Sequence, residues 1–389
     1  MARLTADVTI IGGGIAGLSL AAALAEEASV IVVEAERGLA QHTSSRSAQQ
    51  LQPSYGPDPV RALTAATLEL MPAIEDRMGE RILSPRPLVV GAVAPEAAEL
   101  AAIARGEAEA PADPIEALLA QGRGFRRIDP EHAHELLPFL RRDVLRGAAI
   151  DDASREVRVP LLLRAYEEMA RERDARILTG WRVREIQRRG SSWVLETEGG
   201  DVSTGHLVNA AGAWADEVAS LAGLRPRGLR ALRRTVAIAA PLRGTIPVDA
   251  PMFVDDRDGV YFRPHEEGLL ASPMEDAPSA AEDAQPREEL VAETLRRVEA
   301  LTELELEVRR AWTGLRVDSP DHLPVMGRDG DVETFFWLAA QSGYGIQTSA
   351  AAGRLAAAEI VEADARLGEP ADLAWSALSP NRAALFARD

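Results

Sequence analysis

A chain of 389 residues, 46% hydrophobic and 27% charged, is long enough for more than one core and has the composition of an ordered globular protein. Its formal charge of -18 opposes a phosphate backbone and so excludes nucleic acid as a partner, while leaving room for a small anion held by local arginines. There is no cysteine, and all 43 basic residues are arginine, which removes disulfides, thiolate metal sites, thiol nucleophiles, sulfur-tethered cofactors and lysine Schiff bases.

The first element is a β-branched strand, Asp7 to Ile11, running into Gly12-Gly13-Gly14-Ile15-Ala16-Gly17 and an Ala/Leu-rich helix. A second strand, Ser29 to Val33, ends on Glu34, 20 residues after Gly14. Strand, glycine turn, helix and strand-end carboxylate together read as a dinucleotide site. Gly12 permits the tight turn, Gly14 lets backbone approach a pyrophosphate, and Gly17 lets helix pack on strand. The amides at Ile15 and Ala16 open the helix where its dipole favours phosphate. Glu34, followed by Ala35, accepts from ribose hydroxyls and disfavours a 2'-phosphate.

Next comes a polar, small-residue segment, Gln41 to Ala48, then Tyr55-Gly56 and an amphipathic helix from about Pro59 to Met78. Residues 95 to 121, rich in Ala and Glu with three prolines, read as an exposed helical excursion whose acidic charge is a solvated face. The pattern predicts a helix from Pro160 to Arg173 and a strand pair from Trp181 to Thr197 turning at Gly190-Ser191. A further strand, through His206 to Asn209, ends in the small residues Ala210 to Ala213 before Trp214. Small residues there suit a backbone passing close to a cofactor.

Alternation returns between residues 230 and 275, which predicts a second sheet, and residues 286 to 303 look helical. The tail carries Gly314-Leu315-Arg316, Leu323 to Gly327, a strand from Phe335 to Ala340, and Gly343-Tyr344-Gly345-Ile346-Gln347-Thr348 opening an Ala-rich helix. Of the six histidines only His132 and His134 have ligand-like spacing, in a stretch that reads as solvated, so no metal is expected. No apolar run approaches bilayer length, and residues 1 to 6 are too short and polar for a signal peptide, which predicts a cytoplasmic chain with no transmembrane segment.

These motifs, from the glycine loop to the last glycine-led helix, resemble the D-amino-acid oxidase and dehydrogenase family of FAD enzymes, which includes glycine and sarcosine oxidases. Within it, Arg46-Ser47-Ala48, Tyr55-Gly56, Val60 to Ala66, Leu83 to Pro87 and Gly343 to Ala350 are most similar to bacterial D-arginine dehydrogenase. The resemblance implies an α/β FAD-binding Rossmann-like domain made of residues 1–80, 146–225 and 310–389. An α+β, mixed-sheet substrate domain would comprise 81–145 and 226–309. It implies non-covalent FAD held by Gly12, Gly14, Ile15, Ala16, Gly17, Glu34, Ala35, Arg46, Ser47, Ala48, Val183, Ala211, Gly212, Trp214, Gly314, Arg316, Gly343, Tyr344, Gly345, Ile346, Gln347 and Thr348. Amides from Gly345 to Thr348 would face the N1/C2 edge of the reduced flavin.

By position in the family, Arg234 and Arg316 take the substrate α-carboxylate, Tyr55 and Tyr261 supply hydroxyls beside it, and Gln347 stands at the flavin. The implied reaction is oxidation of a D-amino acid by hydride transfer from Cα to flavin N5, giving a 2-oxo acid and ammonia. The electron acceptor is a quinone, an electron-transfer protein or oxygen. Two departures bear on substrate. Leu88 stands where D-arginine dehydrogenase has a glutamate for a guanidinium, and Gln50 stands where it has a histidine, so an apolar side chain is expected. A glycine/sarcosine-type amine oxidase, a 2-hydroxy-acid dehydrogenase and a FAD-binding subunit of a larger assembly are the alternatives.

Overall fold

The computed structural model describes residues 3–94, 105, 113–257, 259–363 and 367–386. Its first sheet has eight strands. The parallel centre runs Phe335–Ala339, Gly200–Asn209, Leu4–Ile11, Val30–Glu34, Arg176–Thr179. Val183–Arg189 and Ser192–Thr197 add an antiparallel wing on Gly200–Asn209, and Val325–Arg328 adds an antiparallel strand on Phe335–Ala339. Alternate residues of the central strands feed opposite faces. Val8, Ile10, Val30 and Val32 enter one apolar cluster, while Ile11, Ile31 and Val33 enter another. Such strands are buried on both faces and read as continuous apolar runs, as this sequence does.

Helices Ile15–Leu24, Asp58–Met78, Val159–Arg171 and Gly345–Ile360 cover the first face. Ile15–Leu24 and Gly345–Ile360 pack so closely that a Cβ at Gly353 would lie 2.6 Å from the Ser19 carbonyl oxygen. The alanines of Gly345–Ile360 therefore serve close approach as well as helix propensity.

A second, nine-stranded mixed sheet stands beside the first. Its order is Pro278–Ser279, Arg230–Arg243, Gly268–Ser272, Tyr261–His265, Met252–Asp255, Leu88–Val93, Leu145–Asp151, Arg126–Ile128, with Glu305–Asp318 on the free edge of Arg230–Arg243. Leu145–Asp151 and Glu305–Asp318 straddle the domain boundaries drawn from the sequence. Leu88–Val93, Leu145–Asp151 and Glu305–Asp318 are strands the pattern did not announce, because the first is buried on both sides and so lacks alternation, and the last is exposed through most of its first half. The excursion expected over 95–121 lies largely outside the described residues. Its described end is the helix Pro114–Ala120, which buries Ile115. His132 is exposed and His134 half-buried on the short helix Pro130–Leu136, and neither belongs to the group of possible metal ligands found among the described residues, His265, Glu266 and Glu267.

Candidate active site

Gly12 takes φ +112°, and a Cβ there would meet the Ala210 carbonyl oxygen at 2.3 Å; at Gly17 it would meet the Gly12 carbonyl oxygen at 1.9 Å. No other residue fits either position. The Gly13 amide donates to Glu34 Oε2 at 2.7 Å and the Glu36 amide to Oε1 at 2.8 Å, which fixes the carboxylate against the turn and leaves it spare lone pairs. Ile15, expected to offer its amide to a phosphate, donates instead to Ser44 Oγ at 2.9 Å. Ala16 and Gly17 are left as first-turn amides with no intrahelical carbonyl.

Around this end, Asn209 is fully buried, donates from Nδ2 to the Ala215 carbonyl at 2.7 Å and accepts from the Ala211 amide at 3.4 Å. It thereby holds the turn that carries Gly212 and Trp214. Trp214 faces His42 with ring centroids 4.7 Å apart. Val183 and Ala211 pack in the cluster behind this turn, and Trp181 donates its amide to the Glu34 carbonyl at 2.8 Å. Glu34, Ala35, Val183, Ala211 and Trp214 thus surround the turn rather than line the main cavity.

That cavity, about 450 Å³, runs from Gly14, Ile15 and Ala16 to the second sheet. It gathers residues from one end of the chain to the other: Ser47, Ala48, Gln50, Tyr55, Leu88, Arg234, Tyr261, Arg316 and Gln347 all line it, with Gly212, Gly314, Gly343, Gly345 and Ile346. The antiparallel register explains the charges. Arg234 faces Gly314 and Leu232 faces Arg316, so the two arginines are diagonal neighbours on one face of the Arg230–Arg243 and Glu305–Asp318 pair. Arg316 donates to the Tyr55 hydroxyl at 3.3 Å and lies over Gly343, where a Cβ would come within 2.9 Å of its guanidinium carbon. Among the described residues no carboxylate lies within ion-pair distance of Arg316, whereas Arg234 is paired with Asp276. Burial, and then the like charge of Arg316, depress the Arg234 pKa below the ordinary arginine value. Arg316, with no carboxylate partner among the described residues and beside the paired Arg234, makes a site that favours an anion.

Several side chains are committed elsewhere. Gln347 is buried and donates to Thr64 Oγ1 at 2.9 Å and to the Tyr55 carbonyl at 3.3 Å, so it positions Tyr55. The Thr348 amide is spent on the Tyr344 carbonyl at 3.1 Å, which leaves Gly345, Ile346 and Gln347 as the free first-turn amides of their helix. Tyr344 caps that helix with its ring 5.1 Å from Tyr55; burial, with Tyr55 and Asp318, pushes its hydroxyl up to about 12. Arg46 donates to the Thr313 carbonyl at 2.8 Å and to Asp283 Oδ1 at 2.5 Å, tying its loop to the second sheet instead of pointing at an anion.

Leu88 is 3% exposed and belongs to an apolar cluster with Val90, Met252 and Tyr261. Gln50 donates to the Arg86 carbonyl at 2.9 Å. Behind it lies a network that the sequence did not disclose. Arg263, fully buried, donates to Glu156 Oε1 at 2.8 Å, to Gln49 Oε1 at 2.7 Å and to the Ala48 carbonyl at 2.9 Å, and Arg86 donates to Glu156 Oε2 at 2.6 Å. Burial works against the charge of Glu156, but Arg263 and Arg86 outweigh it and hold the carboxyl below the ordinary glutamate range. Gln49, at φ +58°, is kept in the left-handed region by these bonds. Asp276, Thr43 and Ser44 were also missed, since isolated polar residues in loops carry no periodic signal.

Residues 7–359 match the family model described as FAD dependent oxidoreductase, DAO. The chain belongs to this family. It is 25% identical to glycine oxidase of Geobacillus kaustophilus over 92% of this chain and 93% of that protein. The crystal structure of that organism's glycine oxidase superposes with a TM-score of 0.79 at 21% identity, covering 98% and 99% of the two chains. L-proline dehydrogenase from P. horikoshii superposes with a TM-score of 0.78 at 21% identity over 96% and 98%. Rat mitochondrial dimethylglycine dehydrogenase is 27% identical over 90% of this chain, which spans 42% of that protein. These likenesses support the α/β architecture with its mixed sheets and the use of FAD. None of these relatives is named for D-arginine, so the nearer likeness to D-arginine dehydrogenase does not follow from them. The residues fit the cofactor: Gly12 and Gly17 in the turn have no room for a side chain, Glu34 is fixed beside it, and a second helix offers free amides across the cavity. Among the described residues no helix is long and apolar enough to cross a membrane.

Proposed function

We propose that this FAD-dependent oxidoreductase is a dehydrogenase acting on the Cα–N bond of a D-amino acid with an apolar side chain. The product is an imino acid that water hydrolyses to a 2-oxo acid and ammonia. The observation that carries the reading is Arg316, a guanidinium with no carboxylate partner among the described residues, hydrogen-bonded to Tyr55 and lining the same cavity as the apolar Leu88. The substrate carboxylate would bind Arg316, flanked by the Tyr55 and Tyr261 hydroxyls. Leu88 and Met252 would take the side chain, since an unpaired cation against them would be costly.

FAD, when bound, supplies the two-electron acceptor. The first-turn amides of Gly345, Ile346 and Gln347 would stabilise negative charge at their end of the cavity. No histidine lines the cavity and the chain has no lysine, so the residues orient the substrate and its amine gives up its proton to solvent. Non-covalent attachment accords with the lack of cysteine. The electron acceptor, whether quinone, electron-transfer protein or oxygen, a cytoplasmic location and the two-domain division stay within the proposal.

A second reading, a glycine/sarcosine-type amine oxidase, is favoured by what the glycine oxidase and dimethylglycine dehydrogenase relatives are named for. Anaerobic mixing of the purified yellow protein with D-leucine, D-methionine, glycine, sarcosine, dimethylglycine and D-lactate separates them. The proposal expects loss of flavin absorbance with the apolar D-amino acids foremost. Bleaching by sarcosine or glycine alone would favour the second reading, and none with any compound would leave a FAD-binding subunit.

A further inference from the structure

The pairing of Arg234 bears on which carboxylates the site admits. Asp276 sits in the segment between Gly268–Ser272 and Pro278–Ser279, anchored before it by Glu275 and after it by the Ala277 carbonyl, which accepts from the Arg233 amide at 2.8 Å. Glu275, nearly buried, accepts from Thr235 Oγ1 and pairs with Arg287 at 2.7 Å, and Met274, at φ +53°, turns into the cavity lining. Asp276 itself is 68% exposed, yet its carboxylate reaches inward to Arg234, whose side chain is 11% exposed. A carboxylate that itself lies outside the cavity lining is thus held, from the solvent side, on a guanidinium that lines it.

The charges lining the cavity then balance in a particular way. Arg46 is neutralised by Asp283 and Arg234 by Asp276, while Arg123 and Asp256, which also line it, contribute one charge of each sign. What is left is the single positive charge of Arg316. We propose that Asp276 determines substrate class at this site: by neutralising Arg234 it leaves one guanidinium for substrate, so the site takes monocarboxylic and rejects dicarboxylic amino acids. A second carboxylate entering beside Arg234 would meet the Asp276 charge, and like charges in so crowded a place are mutually unfavourable. Without Asp276, Arg234 would present a second bidentate fork next to Arg316, matched to a dicarboxylate.

This rests on the carboxylate-binding reading above, and the test separates the two. Acetate and malonate are titrated into the FAD-loaded protein and followed by perturbation of the flavin spectrum; anaerobic flavin reduction by D-leucine and D-glutamate is measured alongside. In wild type, acetate binds better than malonate and D-leucine reduces better than D-glutamate. Asp276→Asn should strengthen malonate relative to acetate by about tenfold and raise reduction by D-glutamate relative to D-leucine. The gain should vanish in Asp276→Asn combined with Arg234→Gln. Asp276→Ser, checked for FAD content, repeats the experiment with a different side chain. If no amino acid reduces either protein, the functional reading falls while the acetate and malonate arm still decides the role of Asp276. Equal changes for both anions, no change, or weaker binding of both in the Asp276 variants would overturn the inference.

Discussion

Leu88 is the side chain on which the proposed substrate preference rests most. It is buried with Met252 and Tyr261 in one apolar cluster on the cavity wall. Leu88→Glu should therefore shift anaerobic flavin reduction from D-leucine toward D-arginine, by giving the cation a partner. Wild type reduced best by D-arginine, or a variant with the same ratio, would remove Leu88 from the pocket. The lining also predicts a pH profile. The amine must be neutral for its lone pair to assist hydride transfer, and no histidine lines the cavity to take its proton, so the reduction rate should rise with pH and level off once the amine is neutral. A rate independent of pH from acid to alkaline would contradict this.

At the scale of elements, the substrate wall stays in place because Arg263, Glu156 and Arg86 clamp the strands Tyr261–His265 and Arg155–Val157, the segment at Arg86 and the loop at Ala48 and Gln49. Glu156→Gln would leave the fully buried Arg263 without its counter-charge, a change that typically costs about 3–5 kcal/mol. Urea unfolding should show that loss, and an unchanged midpoint would mean the network is dispensable. Its pH dependence has a definite sign. Arg263 and Arg86 hold the folded-state pKa of Glu156 below the ordinary glutamate value, so its contribution is present above that value and fades as pH falls through the folded pKa. Wild type should thus lose stability on acidification more steeply than the variant.

This network also marks the limit of what the sequence discloses. The Gly12–Gly17 turn, Glu34 and the helix opening at Gly345 could be read from spacing, because local backbone geometry fixes residue type there. Arg263, Glu156 and Asp276 could not, because their meaning comes from partners far away in the chain. Leu88–Val93 escaped for a related reason: burial on both faces erases the alternation that announces a strand.

Across the whole molecule, two sheets meet at a cavity in which each contributes half of the chemistry. The parallel sheet brings two helix N-termini, and the mixed sheet brings Arg234, Arg316, Tyr261 and Leu88. The central claim is that a substrate carboxylate on Arg316 fixes the reacting carbon at the FAD site. Losing one partner of a buried charge pair costs on the order of 2–5 kcal/mol, which corresponds to roughly thirtyfold or more. The most direct measurement is stopped-flow anaerobic flavin reduction by D-leucine in wild type and Arg316→Ala, with FAD content determined for both. The account predicts full FAD content in the variant with reduction efficiency lowered by at least that factor. An Arg316→Ala protein that binds FAD and is reduced by D-leucine as efficiently as wild type would contradict it.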